Sequence, residues 1–320
     1  MTLKPGKLPP KLLHRLLTTY AKADPRVIVG PAIGEDAAVI DMGTSYLIAT
    51  SDPITFATDA IGYYAVVVNA NDIATRGGRP KWFLATLLLP EQHTSEALVE
   101  SIFAQICQAC ETFGIALIGG HTEITYGLDR PILSGHMLGE VTPADLVTTG
   151  GAQVGDLLLL TKGICIEGTS IIAREREADL RRRGVGEECI ARAKNFLYEP
   201  GISIVQDAQI ACSAGRVHAM HDPTEGGLAM AIHEVATAAR VGVVVEQAQI
   251  PILAEAALLC QAYGLDPLGT IASGALLIAA TSENAAAIQR AVRAARITCE
   301  VIGRIVPPGE GVVLDTGRER

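Results

Sequence analysis

The sequence predicts two consecutive domains, each mixing strands and helices, α+β in class. Three observations predict it. The chain has 320 residues, about twice the roughly 150 residues of an ordinary domain. Short apolar runs with strand character alternate with segments of helical periodicity in both halves. Near the middle, residues 143–155 carry a Pro and a Gly-Gly pair and run into Val-Gly-Asp before the pattern resumes. That interruption places the expected domains at 1–150 and 151–320.

The elements follow in order. Residues 8–21 read as a helix entered through Pro9-Pro10, and 37–40 and 46–50 as strands. From Tyr63 the apolar positions recur with helical spacing, with Asn69, Asp72 and Arg76 as a polar stripe beside them. Residues 82–89 form an apolar strand stopped by Pro90. A helix is expected over 98–113, then a buried strand over 115–118 that ends in a Gly119-Gly120 turn, then a strand over 131–141. In the second half a strand over 157–160 precedes one helix over 168–183, whose Arg and Glu residues form a solvated face. A strand near 217–220 leads into a helix with apolar positions 228, 232, 235, 236 and 239. Strands are expected over 241–245, 275–280 and 297–302.

Composition excludes several function classes. Hydrophobic residues are 49% of the chain, enough for a large core. Aromatics are only 4% and the net charge is −9, so neither base stacking nor a basic face for nucleic acid is available. No run reaches the ~18 apolar residues of a membrane span, and the N-terminus lacks the apolar core of a signal peptide. The cytoplasm is the expected location. Seven cysteines, an odd number, suit reduced thiols. Cys107 and Cys110 form a C-x-x-C inside the expected 98–113 helix, with no second pair to complete a zinc site.

The chemistry-bearing residues are acids placed where apolar runs break. Gly34-Glu35-Asp36 precedes an apolar strand, Asp52 follows one, and Asp72 lies in a helical pattern. Asp222 heads Asp-Pro-Thr-Glu-Gly-Gly between a strand and a helix. A carboxylate beside apolar structure needs a partner, and shared divalent cations supply one. Each acid also has an ordinary reading: a turn for Glu35-Asp36, a strand terminator for Asp52, an exposed helix position for Asp72. Asp222 reads equally as an N-cap, with Pro223 in the first helical turn. Thr224, Gly226 and Gly227 would bring backbone close to an anion at that helix start. Gly119, Gly120, His121 and Thr122 form a second glycine segment; His121 reads as a metal or phosphate contact or as a hydrogen-bonded turn residue. Lys7 could offset phosphate charge if the N-terminal arm folds over a nucleotide, and is otherwise a frayed tail. No Walker or Rossmann glycine motif is present.

Taken together, these segments resemble the superfamily of aminoimidazole ribonucleotide synthetase (AIR synthase), which includes thiamine-monophosphate kinase, selenophosphate synthetase and the hydrogenase maturation protein HypE. The resemblance runs nearly end to end. It rests on Gly34-Glu-Asp-Ala-Ala-Val, Thr50-Ser-Asp-Pro, Val68-Asn-Ala-Asn-Asp-Ile-Ala, Gly119-Gly-His-Thr, Gly168-Thr-Ser-Ile-Ile-Ala-Arg-Glu, His221-Asp-Pro-Thr-Glu-Gly-Gly-Leu and Val301-Ile-Gly-Arg-Ile. The HypE branch is nearest, through Gly6-Lys-Leu-Pro-Pro and the second-half motifs.

The resemblance implies a homodimer whose N-terminal sheets join into a barrel. It also implies ATP bound by segments including Gly34, Glu35 and Asn69, with Mg²⁺ held by Asp36, Asp52, Asp72 and Asp222. Asp72, Asp222 and Lys7 would serve transfer of the γ-phosphoryl group to an oxygen, often of an amide, on a small molecule or a partner protein. Two departures stand out. HypE-type chains end in a cysteine that is carbamoylated and dehydrated, whereas the last cysteine here is Cys299, in an expected strand, so that self-modification is not expected in its usual form. His121 stands where relatives carry a metal-binding Asp, and Glu123 is the available substitute. The alternatives are a thiamine-monophosphate kinase-like enzyme and a non-catalytic ATP-binding scaffold.

Overall fold

A computed structural model describes residues 3, 6, 8–32, 34–55 and 59–317. Lys7, expected near a nucleotide, lies outside the described residues.

In chain order the elements of the first half are α1 (Pro10–Tyr20), β1 (Val27–Val29), β2 (Ala38–Asp41), β3 (Tyr46–Ile54), α2 (Ile61–Thr75), β4 (Arg79–Pro90), α3 (Glu96–Phe113), β5 (Ala116–Thr125) and β6 (Ile132–Val141). The second half holds β7 (Leu157–Thr161), α4 (Ile166–Glu175), α5 (Glu177–Arg182), α6 (Glu187–Asn195), α7 (Val205–Ala214), β8 (Ala219–His221), α8 (Gly227–Ala239), β9 (Gly242–Glu246), α9 (Ala254–Tyr263), β10 (Leu277–Ala280), α10 (Ser282–Ala294), β11 (Cys299–Val306) and β12 (Val312–Asp315). Each half builds one mixed six-stranded sheet, in the orders β1-β2-β3-β6-β4-β5 and β12-β9-β11-β7-β10-β8.

β6 shows how the first sheet is covered. Its residues alternate strictly between buried and half-buried, so one face takes α2 and the other stays open. α2 can lie close because β6 presents glycines to it. A Cβ on Gly135 would stand 2.4 Å from Asn69 Nδ2 and 3.0 Å from the Ala65 carbonyl. In the second sheet both faces are covered. Leu159 and Ile278 face α7 and α10 in one core, while Leu158, Leu160, Leu277 and Ala279 face α8 in another. β7 is accordingly apolar on both faces, as buried strands are.

α2 is the hinge of the site. Thirteen of its 15 residues are buried, because the sheet, α3 and α7 surround it. Its polar residues therefore have partners inside the protein. Asn71 donates to the Ile202 carbonyl and accepts from the Ile204 N–H, both at 2.9 Å, which ties the first half to the segment leading into α7. One continuous core runs from α2 into α7 and α10.

Three expectations are corrected. β5 is not a buried strand ending at Gly119-Gly120. It continues through both glycines to Thr125 and is exposed along most of its length, because it is the edge of its sheet. The 168–183 segment is two helices broken at Arg176, which turns Leu180 into a small core with Val185, Ile190 and Leu259. Its charges do form a solvated face, with Arg181–Glu177 and Arg183–Asp179 pairs at i,i+4. Asp222 is not an N-cap, and Pro223 is not in a first helical turn: α8 begins at Gly227, with Gly226 as its cap.

Cys107 is exposed and Cys110 buried, both thiols free. Cys299 is fully buried at the start of β11, and burial pushes its thiol up to about 12. No described helix is long and apolar enough to cross a membrane.

Candidate active site

The four aspartates arrive on separate elements. β3 extends past Thr50 to Ile54, so Thr50 and Asp52 share one face of the strand, toward α2. Asn69 on α2 fixes Asp52 from both sides: it accepts from the Asp52 N–H at 2.9 Å and donates to the Asp52 carbonyl at 3.2 Å. One turn further along α2, Asp72 is 2% exposed. The Thr50 hydroxyl donates to Asp72 Oδ2 at 2.6 Å and lies 2.9 Å from the Asp36 carbonyl, so one side chain ties three segments together. Asp222 follows β8 of the second sheet and is also 2% exposed.

The electrostatics follow from this convergence. Burial, then the charges of Asp52, Asp222 and Asp36, hold the Asp72 carboxyl well above its ordinary range. Burial and the charge of Asp36 raise Asp222 to about 7, against the pull of His221. His221 is the internal counter-charge. Burial alone would lower its pKa, but bonds to Asp36 and Glu234 outweigh that and lift it to about 10. Its Nε2 lies 2.8 Å from Glu234 Oε2 and its Nδ1 3.3 Å from Asp36 Oδ2.

One imidazolium does not neutralise four carboxylates. Both oxygens of Asp222 are buried with no hydrogen-bond donor from another residue. A fold keeps such groups where a ligand completes them. Asp36, His221 and Asp222 each offer an atom within 4.8 Å of the others. Because both His221 nitrogens are engaged, the available donors are carboxylate oxygens, the hard ligands that Mg²⁺ takes together with phosphate oxygens and water. The residues fit such an ion. It would supply the positive charge that lets a triphosphate approach this acidic surface.

The remaining predicted residues fall into two groups. Gly34 packs against α8, where an added Cβ would lie 3.5 Å from the Glu234 carbonyl. Thr224, Gly226 and Gly227 form the turn between Asp222 and α8. Glu35 is drawn away from the cluster into an ion pair with the fully buried Arg76 at 2.8 Å. By contrast, Gly119, Gly120, His121 and Thr122 lie on β5, which β4 and β6 separate from β3. Within one chain they do not meet the aspartates. His121 is exposed, its Nε2 3.0 Å from Glu123 Oε2.

Sequence reasoning passed over Thr50, His221, Glu234 and Glu167. Only Glu167, an acid inside the apolar stretch Ile164–Ile166 and Gly168, carried the signal used for the aspartates.

Fold and site together define a class: a two-domain α/β protein with an acid cluster between its domains, buried at Asp72 and Asp222 and open at Asp36, suited to metal-bridged phosphate. The N-terminal domain of AIR synthase related proteins matches residues 34–141 and their C-terminal domain matches 153–315, so the chain belongs to the AIR synthase related family. A putative hydrogenase expression/formation protein of Methanocaldococcus jannaschii is 29% identical over 289 residues, covering 88% of this chain and 82% of that one. The carbamoyl dehydratase HypE of Rhodobacter capsulatus is 29% identical over 287 residues, covering 88% and 80%. In fold, the chain is similar to a ThiL protein (AaThiL) complexed with AMPPCP and TMP, with a TM-score of 0.75, 22% identity and coverage of 97% and 93%. It is similar also to a hydrogenase maturation protein HypE in complex with ATP, with a TM-score of 0.70, 20% identity and coverage of 95% and 91%.

Proposed function

We propose that this protein is an ATP-dependent enzyme that transfers the γ-phosphoryl group of Mg²⁺-bound ATP to an oxygen of an amide-type group, on a small molecule or a partner protein. The observation that carries the reading is Asp222, with both oxygens buried and no hydrogen-bond donor from another residue, near the charges of Asp36, Asp52 and Asp72. These four aspartates hold Mg²⁺, and the turn Thr224–Gly227 faces the phosphates. Catalysis rests on positioning and charge neutralisation. The relatives named for carbamoyl dehydration support an amide-type acceptor.

Isothermal titration with AMPPCP tests the reading. Binding is expected with Mg²⁺ and not in EDTA; equal heats in both, or none, sink it. The likeness to AaThiL favours a second reading, a small-molecule kinase. ADP release that thiamine monophosphate alone stimulates would select it.

The open face of the first sheet and the exposed β5 edge also support a homodimer. Ile118 and Ile124 on β5 are 52% and 61% exposed, an apolar surface that a second copy would cover. Sedimentation equilibrium should return twice the chain mass, and a monomer at micromolar concentration excludes this arrangement.

A further inference from the structure

β7 ends at Thr161, and the chain then turns through Lys162 with a φ of 56°, a left-handed conformation uncommon outside glycine. The Lys162 side chain is buried, and its Nζ lies 3.2 Å from Oδ2 of Asp207, in the first turn of α7. It also donates to the carbonyls of Gly201, at 3.5 Å, and Ser203. Three acceptors thus match the three N–H groups of an ammonium. Burial lowers the pKa of Lys162, and the charge of Asp207 opposes that shift. Asp207 is itself buried, and its Oδ1 has no hydrogen-bond partner.

Such a pair is a weak source of stability. Taking two charges out of water costs about as much as their attraction contributes, and two apolar side chains would serve a core as well. The unbonded oxygen of Asp207 adds to that cost. What apolar side chains cannot do is hold backbone carbonyls. Gly201 and Ser203 flank Ile202, whose carbonyl accepts from Asn71, and the Ile204 N–H donates to Asn71. The 201–204 segment is therefore gripped from both halves of the molecule, by Lys162 from the end of β7 and by Asn71 from α2. Each grip adjoins one of the aspartates. Asn71 precedes Asp72 in α2. Lys162 and Asp222 leave the second sheet at the same end, since Leu277 of β10 stands opposite both Leu160 of β7 and His221 of β8.

We propose that Lys162 is a positioning residue for the metal site: by holding the Gly201 and Ser203 carbonyls against the grip of Asn71, it sets Asp222 of the second domain opposite Asp72 of the first. The inference rests on the phosphoryl-transfer reading above, whose cation those aspartates would share. Lys162 touches neither the cation nor the nucleotide. It acts through the 201–204 segment, which transmits its position to α2. Asp207 supplies the counter-charge that keeps the ammonium in the interior. Without Lys162 the segment is held from the α2 side alone, and the two aspartates lose their common register.

The test uses the full chain and separates position from stability. Lys162→Met leaves Asp207 buried without its partner, so it should melt at lower temperature and bind Mg²⁺-AMPPCP about tenfold more weakly. The double variant Lys162→Met with Asp207→Leu removes both charges and should regain most of the wild-type melting temperature. Its affinity for Mg²⁺-AMPPCP should nevertheless stay about tenfold below wild type, because nothing grips the two carbonyls. Mn²⁺ bound with AMPPCP to the double variant should give an EPR spectrum with altered zero-field splitting, since Asp72 and Asp222 no longer approach the ion together. A double variant that regains wild-type affinity along with its melting temperature, or that gives the wild-type Mn²⁺ spectrum, shows a pair serving stability alone and overturns this inference. A single variant that binds like wild type does the same, as does a double variant no more stable than the single one. Wild-type protein that binds no Mg²⁺-AMPPCP overturns the phosphoryl-transfer reading, and this inference with it.

Discussion

Replacing Asp222 with Asn should remove most of the Mg²⁺-dependent affinity for nucleotide and, at the same time, make the metal-free protein less sensitive to pH. Both effects follow from one geometry. Asp222 is buried against Asp36 and His221, and its carboxyl is raised to about 7, from an unfolded value near 3.9. The folded state therefore binds the proton more tightly than the unfolded chain does. The stability tied to that proton is fully present below about pH 4 and is lost as pH rises through about 7. Asp72 is raised as well and adds a slope of the same sign. The metal-free wild type should thus lose stability from pH 5 to pH 8, by on the order of a few kcal/mol, and melt at progressively lower temperature. Mg²⁺ should restore it at pH 8, because a cation favours the ionised carboxylates. The Asp222→Asn variant should show a shallower decline, a smaller response to Mg²⁺, and AMPPCP binding weaker by roughly 10–100-fold. Melting curves from pH 5 to pH 8, with Mg²⁺ or EDTA, read all three. Identical slopes and identical Mg²⁺ responses in the two proteins would show that Asp222 does not face a cation.

The second large effect is expected one residue before Asp36. Glu35 lies 2.8 Å from Arg76, whose guanidinium is completely buried and also donates to Thr149 at 2.9 Å. Glu35→Gln leaves that guanidinium in the protein interior without its counter-charge. Breaking a buried pair in this way costs about 3–5 kcal/mol, or roughly 10 °C in melting temperature. Replacing both residues, Glu35→Gln with Arg76→Met, removes the charge as well as its partner and should recover much of the loss. A melting temperature unchanged by Glu35→Gln would mean that water reaches Arg76. Because Glu35 anchors the backbone next to Asp36, the single variant should also bind Mg²⁺ more weakly, in parallel with its loss of stability.

The helices α2 and α3 and the strands β4, β6, β7 and β9 were legible from periodicity because each buries a continuous apolar face. β5 was not: Leu117 and Ile118 suggest burial, but nothing local records that no strand pairs beyond it in the chain. The break at Arg176 was equally hidden, since the helical pattern on either side is intact and the bend serves Leu180 and a core assembled from α6 and α9. The strand β3 was read two turns of pleat too short because Asp52 and Pro53 look like a stop. They are tolerated inside the strand because Asn69 on α2 bonds the Asp52 backbone.

By itself the sequence determined that the protein has two mixed domains, which family it resembles, and that acids at 36, 52, 72 and 222 stand where apolar structure breaks. Those are local facts, and burying a charge is costly enough to leave a local mark. Only the tertiary structure decided that Thr50 joins three of the segments, that His221 is held between Asp36 and Glu234, and that Glu35 belongs to Arg76. Each of these is a pairing between separate elements, set by how the two sheets and α2 and α8 come together, and no spacing along a sequence encodes that distance.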